Sequence, residues 1–252
     1  VEEEKDRQFV TALARGLEVL RCFTPAQPEL GTTEIAALTG LAQSTVWRLC
    51  HTLQASGILT TGRDPGRLRP GYGLLSLGYA ALVQGGVAEV ALPAMQRIAE
   101  RFDVAVSLAA RDRANMVITA RAEGPAILRL AFSVGTALPI SRSALGWAYL
   151  AGVADAERQK ILRSLPDWPA QQAEIEAALA QHARDGFVFN LRQFHPDVNA
   201  IGVPVVGPGG RRVMALNCGG AVSVTTPQKL AGPIAAELKA LAATLAPVLE
   251  SS

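Results

Sequence analysis

Apolar residues recur every three or four positions through "FVTALARGLEVLRCF". Phe9, Leu13, Leu17, Leu20 and Phe23 therefore share one stripe of a helix that Pro25 and Pro28 end. A second helix of barely two turns follows. Thr32 is placed to cap it, Glu34 sits in its first turn, Ile35, Ala36 and Leu38 face inward, and Gly40 supplies the stop. A third runs from about Gln43 to Ser56, with Val46, Leu49, Cys50 and Leu53 at i, i+3, i+4, i+7 as its buried seam. At about 100° per residue, Ser44, Arg48 and His51 point opposite that seam, and Trp47 at its flank reads as packing.

Beyond Gly57 the period changes. "ILTTGR" reads as a strand, Asp64 to Gly66 as a tight turn and "RLRPGY" as a poor return strand, a hairpin with Arg63, Arg67 and Arg69 around its tip. "GLLSLGYAALVQGG" reads as a connecting helix closed by Gly85 and Gly86. A helix ("ALPAMQRIAERF") and three apolar strands ("VAVSLAARD", "NMVITAR", "AILRLAF") come next. Helices over "SALGWAYLAG", "DAERQKILRSL" and "PAQQAEIEAALAQHARDG" precede the strands "FVFNL", "NAIGVPVV" and "RRVMALNCGG", and a last helix runs from about Pro227 to Leu249. The prediction is an α+β chain. Residues 1–8 form a disordered tail, 9–72 a three-helix-plus-hairpin unit, 73–86 a linker helix, and 87–252 a domain on a mostly antiparallel sheet with flanking helices.

Composition narrows the function classes. With 49% hydrophobic and 18% charged residues the chain can bury ample cores. A net charge of +2 is too small to point to nucleic acid, but four arginines stand against one acid between Leu41 and Pro70. Cys22, Cys50 and Cys218 are far apart and form no CxxC, which fits a reducing cytoplasm rather than a disulfide framework or zinc site. No apolar segment follows the charged "VEEEKDRQ", and no window reaches the roughly 18 apolar residues of a spanning helix, so a cytoplasmic protein without a membrane partner is expected.

A short helix, a tight turn and a second helix with a solvent-facing Ser/Arg/His row suit the major groove of double-stranded DNA. Arg48 has the reach to grip a guanine. Ser44 and Thr45, at the helix start, suit phosphate oxygens, Gln43 and His51 suit bases or phosphates, and Arg63 and Arg67 can neutralise further phosphates. Thr33, at the start of the preceding helix, completes the expected DNA-facing set. An ordinary solvated helix face is the alternative, which the hairpin directly after the third helix disfavours because a winged variant places its wing there.

These residues resemble a known family. "FVTALARGLEVLRCF" and "TEIAALTGLAQSTVWRLCHTLQASGIL" look like the N-terminal region of IclR-type bacterial transcription regulators. "VGTALPISRSALGWAYLAG" is similar to that family's G-x-x-L-P signature running into S-A-x-G, and "DVNAIGVPVVGPGGRRVMALNCGG" to its closing strands. The resemblance spans about Phe9 to Leu249. It implies a winged helix-turn-helix joined by a linker helix to a GAF-like domain for effector binding and oligomerisation. It also implies homodimers or tetramers on pseudo-palindromic operators, repressing or activating catabolic genes in response to a small organic acid, with aromatic carboxylic acids the leading class. Helix one would then be a dimer contact as well as core.

By the same resemblance the effector pocket falls on Ile127, Leu130, Leu138, Ala144, Asn190, Val198, Ala200, Asn217 and Gly219. In "LPISRSA" the backbone N–H groups of Ser143 and Ala144 can receive a carboxylate, with the Ser141 and Ser143 hydroxyls assisting; a plain helix cap is the alternative. Arg129 can pair an anion or face solvent. Arg192, His195 and Asp197 lie on the approach to the pocket or in a solvated loop. Asn217, Cys218 and Gly219 depart from the polar residues some members carry there, and "PGYG" (Pro70 to Gly73) is an unusual close to the wing.

Two other classes compete. A small-molecule enzyme would use Cys218 or His195, with His182 also available, yet no phosphate-binding Gly loop, zinc-spaced cluster or serine nucleophile elbow accompanies them. No cofactor, metal or catalytic activity is therefore expected. A non-DNA-binding interaction module leaves both the Ser/Arg/His face and the "LPISRSA" segment without purpose.

Overall fold

The structure, a computed structural model, describes residues 8–83, 86–125 and 132–250. The expected tail, apart from Gln8, lies outside the described residues, as do Ile127, Arg129 and Leu130 of the strand expected over "AILRLAF". The chain divides into two compact units, the first ending at Leu82 and the second beginning at Val83.

The first unit contains α1 (Thr11–Arg21), β1 (Leu30–Gly31), α2 (Thr32–Thr39), α3 (Gln43–Ala55), β2 (Leu59–Thr61), β3 (Arg67–Pro70) and α4 (Tyr72–Leu82). Val19, Ile35, Val46 and Cys50 from the helices meet Leu30, Leu59 and Leu68 from the strands in one small core. Only the C-terminal part of the α1 stripe, Leu20 and Phe23, packs against this core. Gly16 and Val19 are buried, whereas Phe9, Leu13 and Leu17 are 62%, 62% and 45% exposed. Leu38 is likewise exposed, because the short α2 can turn only Ile35 fully inward.

Thr32 does not cap α2. Gly31 occupies the cap, and Glu34 folds back to accept its N–H at 2.7 Å. The wing has a third strand: β3 pairs β2 on one side and β1 on the other, both antiparallel. Its close over "PGYG" has a steric cause. Gly71 donates to the Ile58 carbonyl (2.8 Å), and a Cβ on Gly71 or Gly73 would stand 2.5 or 3.0 Å from the Gly57 carbonyl oxygen.

The second unit starts with α5 (Val87–Phe102), earlier than the predicted helix, and its described strands form one antiparallel sheet. These are β4 (Ala105–Asp112), β5 (Asn115–Glu123), β6 (Ala137–Pro139), β7 (Val188–Leu191), β8 (Val198–Val206) and β9 (Val213–Ala221), in the order β6-β5-β4-β9-β8-β7. Between β6 and β7 the chain forms α6 (Ala144–Gly152), α7 (Asp155–Ser164) and α8 (Trp168–Asp185). After β9 come a one-turn α9 (Pro227–Lys229) and α10 (Ala235–Leu245).

Each face of the sheet carries its own apolar layer. Val106, Leu108, Ala120, Ala122, Leu216 and Cys218 face α5 and α10, whereas Ala109, Met116, Ile118 and Ala215 face α6 and its neighbours. Burial on both faces suits the short, apolar α6, buried from Ala144 to Leu150.

The last helix is not continuous from Pro227 to Leu249. It loosens to a π-type turn over Leu230–Ile234, with Gly232 off the helical region beside Pro233, which lacks the N–H a regular turn needs. Contrary to the expectation, Pro227–Leu249 is long and apolar enough to span a membrane (mean hydropathy 1.3). Its Leu230, Ile234, Leu238, Leu241 and Leu245 pack instead into the core layer over the sheet.

Candidate functional site

In the first unit, α3 buries Val46 and Cys50 and holds Gln43, Ser44, Arg48 and His51 exposed, with Thr45 half-buried. Thr33 and Gln43 are brought together: the Gln43 amide donates to Thr33 Oγ1 at 3.0 Å and to Thr32 Oγ1 at 3.4 Å, tying the start of α3 to the start of α2. The wing arginines differ. Arg63 and Arg69 are exposed, while Arg67 is half-buried and forks onto Glu34 at 2.8 and 3.3 Å. That bidentate pair joins β3 to α2 and occupies the charge expected for a phosphate. Glu29 also accepts the Arg63 backbone N–H (3.0 Å), which ties the wing to the segment before β1 without engaging the Arg63 guanidinium. Trp47 does not pack into the seam: it is 59% exposed and lies parallel to the His51 ring, centroids 5.5 Å apart.

In the second unit a cavity of about 860 Å³, counting its open mouth, lies between the sheet and the start of α6. Leu138, Ser143, Ala144, Asn190, Val198, Ala200, Asn217 and Gly219 line it. Ser141 does not. Its hydroxyl donates to Asp167 Oδ2 at 2.7 Å, and its carbonyl accepts the Trp147 indole N–H at 2.7 Å, so it fastens α6 instead. Ser143 is the N-cap of α6: its hydroxyl accepts the Gly146 N–H (3.0 Å) and donates to the Pro139 carbonyl (2.8 Å). Its own N–H also goes to Pro139, at 3.2 Å. The N–H groups without an acceptor among the described residues at this cavity-facing helix start are therefore those of Ala144 and Leu145. Asn190 is equally engaged, donating to the Arg142 carbonyl and accepting the Phe194 N–H (2.8 and 2.9 Å), which fixes the β7–β8 loop over the cavity.

The sequence reading missed the polar floor. Across the sheet Arg121 pairs with Ser107, Ser107 with Asn217, and Asn217 with Gly202, so these four form a row directly beneath α6. Arg121 is 9% exposed, donates to Ser107 Oγ (3.0 Å) and pairs with Glu123 (2.8 Å). Asn217 Oδ1 and Asp103 Oδ1 are buried without a partner among the described residues. Phe132 and Phe194 meet edge to face at the rim, centroids 6.0 Å apart, and the Arg121 guanidinium stands over the Phe132 ring. A mostly apolar cavity thus converges one guanidinium, a hydroxyl, an amide and two open backbone N–H groups on a single strip. Asp103 and Glu123 also line the cavity, the Glu123 carboxylate in its pair with Arg121.

Family models for the IclR helix-turn-helix domain and the bacterial transcriptional regulator IclR C-terminal domain match residues 12–63 and 79–246. The chain belongs to the IclR family of DNA-binding transcriptional regulators. An IclR family regulator from Brucella abortus is 38% identical and superposes with a TM-score of 0.86, covering 97% of this chain and 94% of that one. The Comamonas testosteroni regulator TsaQ1/TsaQ2 is 31% identical over 82% of this chain and 77% of its own length. An IclR homologue from Microbacterium hydrocarbonoxydans, complexed with 4-hydroxybenzoate, shares the fold at 23% identity and a TM-score of 0.75, covering 96% and 100%.

In this IclR chain the residues considered for catalysis are separated by the sheet. Cys218 faces α5 and α10, away from the cavity, and burial pushes its thiol far above the usual range. His195 is exposed and accepts the Asp197 N–H at Nδ1 (3.2 Å), and Arg192 is exposed on the same loop. His182 is on α8, where burial and Arg158 lower its pKa.

Proposed function

We propose that this IclR chain is a ligand-responsive regulator that reads duplex DNA with α3 and senses a small aromatic carboxylic acid in the cavity over β4, β5 and β9. The carrying observation is the Arg121–Ser107–Asn217 row under the open N–H groups of Ala144 and Leu145, inside a cavity rimmed by Phe132 and Phe194. Donors so arranged suit a carboxylate, and the aromatic rim suits a flat ring. The Microbacterium homologue's 4-hydroxybenzoate makes hydroxybenzoates the first panel to try. Titration calorimetry of such a panel should find at least one acid that binds the wild type and loses about tenfold or more in Arg121→Gln, the value of a hydrogen bond to a charged group. No binding by any acid, or equal binding by Arg121→Gln, would contradict the assignment.

On DNA, Arg48 is the base-reading residue, and Ser44, Thr45, Gln43, Thr33 and His51 serve phosphates or neighbouring bases. Arg63 is the wing's phosphate contact, whereas Arg67 acts through Glu34. The working form is a homodimer on an inverted repeat, because α1 and α4 leave apolar side chains uncovered. Leu75, Leu77 and Tyr79 are 70%, 62% and 65% exposed, and α4 buries none of its residues. Pairing of dimers into tetramers fits the same reading, as does control of genes that degrade the acid sensed. Selection from a random duplex pool should enrich an inverted repeat for the wild type, with one base position per half-site relaxed in Arg48→Ala.

A further inference from the structure

Trp47 is the one large apolar side chain of α3 that stands exposed, and the core gives it nothing to do. Val46 and Cys50 already fill the buried seam, and Trp47 projects about 100° away from Val46 around the helix. It lies one turn from both Ser44 and His51 and directly beside Arg48. The His51 ring is within 6° of parallel to the indole, so the two form a flat plate along the outer surface of α3. The indole N–H has no protein acceptor among the described residues. An exposed indole costs solubility, and here a neighbouring ring holds it in one orientation, an arrangement that suits contact more than packing.

We infer that Trp47 is a sequence-reading residue, its indole packing on the 5-methyl group of a thymine in the major groove while His51 holds the ring in place. The inference rests on α3 being the helix that enters the groove. The thymine methyl is the apolar feature among major-groove base edges, so an apolar side chain beside the guanine-reading Arg48 discriminates there by contact rather than hydrogen bonding. His51 is a positioning residue for this contact.

The test replaces thymines of the wild-type-selected duplex one at a time with deoxyuridine, which removes only the methyl group. In each half-site one replacement should weaken wild-type binding about fourfold, the value of one buried carbon, and leave Trp47→Ala indifferent. Trp47→Ala should also accept cytosine at that position, while His51→Phe keeps the discrimination at lower overall affinity and His51→Ala loses part of both. Equal responses of wild type and Trp47→Ala at every thymine would overturn the thymine contact. So would uniformly weaker binding by Trp47→Ala without base relaxation, which marks a sugar or phosphate contact; in both cases α3 remains the reading helix. If folded wild-type protein enriches no duplex, with or without an acid panel, the α3 assignment fails and this inference fails with it. Matching thermal melts of wild type and Trp47→Ala exclude misfolding as the cause of any loss.

Discussion

Individual side chains in this protein divide between holding the site and forming it. Ser143 holds: its hydroxyl both caps α6 and satisfies the Pro139 carbonyl, so Ser143→Ala should cost about 1–2 kcal/mol in thermal or denaturant unfolding. Asn190 holds the loop that carries Phe194. Ser107 and Arg121 line the cavity, at positions that no sequence motif marks. Cys218 does neither. Alkylation of the native protein at pH 8 should modify half-buried Cys22 well before Cys218, and rapid labelling of Cys218 would reopen a chemical role for it. His182 sets a pH dependence. Its folded pKa lies below the ordinary 6.5, so the unfolded chain takes up the proton first and stability falls as pH drops below that value. His182→Gln should flatten the decline in melting temperature between pH 7 and pH 5; an unchanged slope would assign the loss elsewhere.

Among elements, periodicity made the helices and most strands legible, and local chemistry explains where it failed. On α1 the stripe is legible as a stripe, but periodicity does not say which part of it is core: Val19, Leu20 and Phe23 reach the core, whereas Leu13 and Leu17 stay exposed. Arg121 was hidden by a β-bulge. Leu108 faces Ala120 while Ala109 faces Ile118, so Thr119 is an extra residue whose hydroxyl donates to the Leu108 carbonyl. Met116 and Ile118 therefore face α6, Ala120 and Ala122 face α5, and Arg121 turns into the cavity, a change of side that simple alternation does not foresee. The signature glycines were legible, and the structure supplies their reason. A Cβ on Gly146 would press into the Ile140 backbone, and one on Gly202 into the Ala144 carbonyl. Gly146→Ala should thus destabilise the second unit by a few kcal/mol, typical of overpacking, and weaken acid binding by shifting the start of α6. A variant melting like the wild type would show that α6 can move freely.

At the scale of the whole molecule, the family's two functions occupy separate compact units, each with its own core. The exposed apolar faces of α1 and α4 belong to the DNA-binding unit, so covering them with a second copy would fix the spacing of two α3 helices. Leu13→Glu combined with Leu75→Glu should shift the protein towards monomer in sedimentation and abolish selection of an inverted repeat while leaving acid binding intact. Coupling between the units is reciprocal: an acid that changes DNA affinity must have its own affinity changed by DNA in the same proportion. The most direct test is therefore the dissociation constant for the selected duplex, measured with and without a saturating acid, in wild type and Arg121→Gln. The account predicts that wild-type affinity shifts about fivefold or more with the acid, and that Arg121→Gln binds the duplex normally but does not respond at the same acid concentration. A wild-type affinity that the acid leaves unmoved, or a full response in Arg121→Gln, would contradict it.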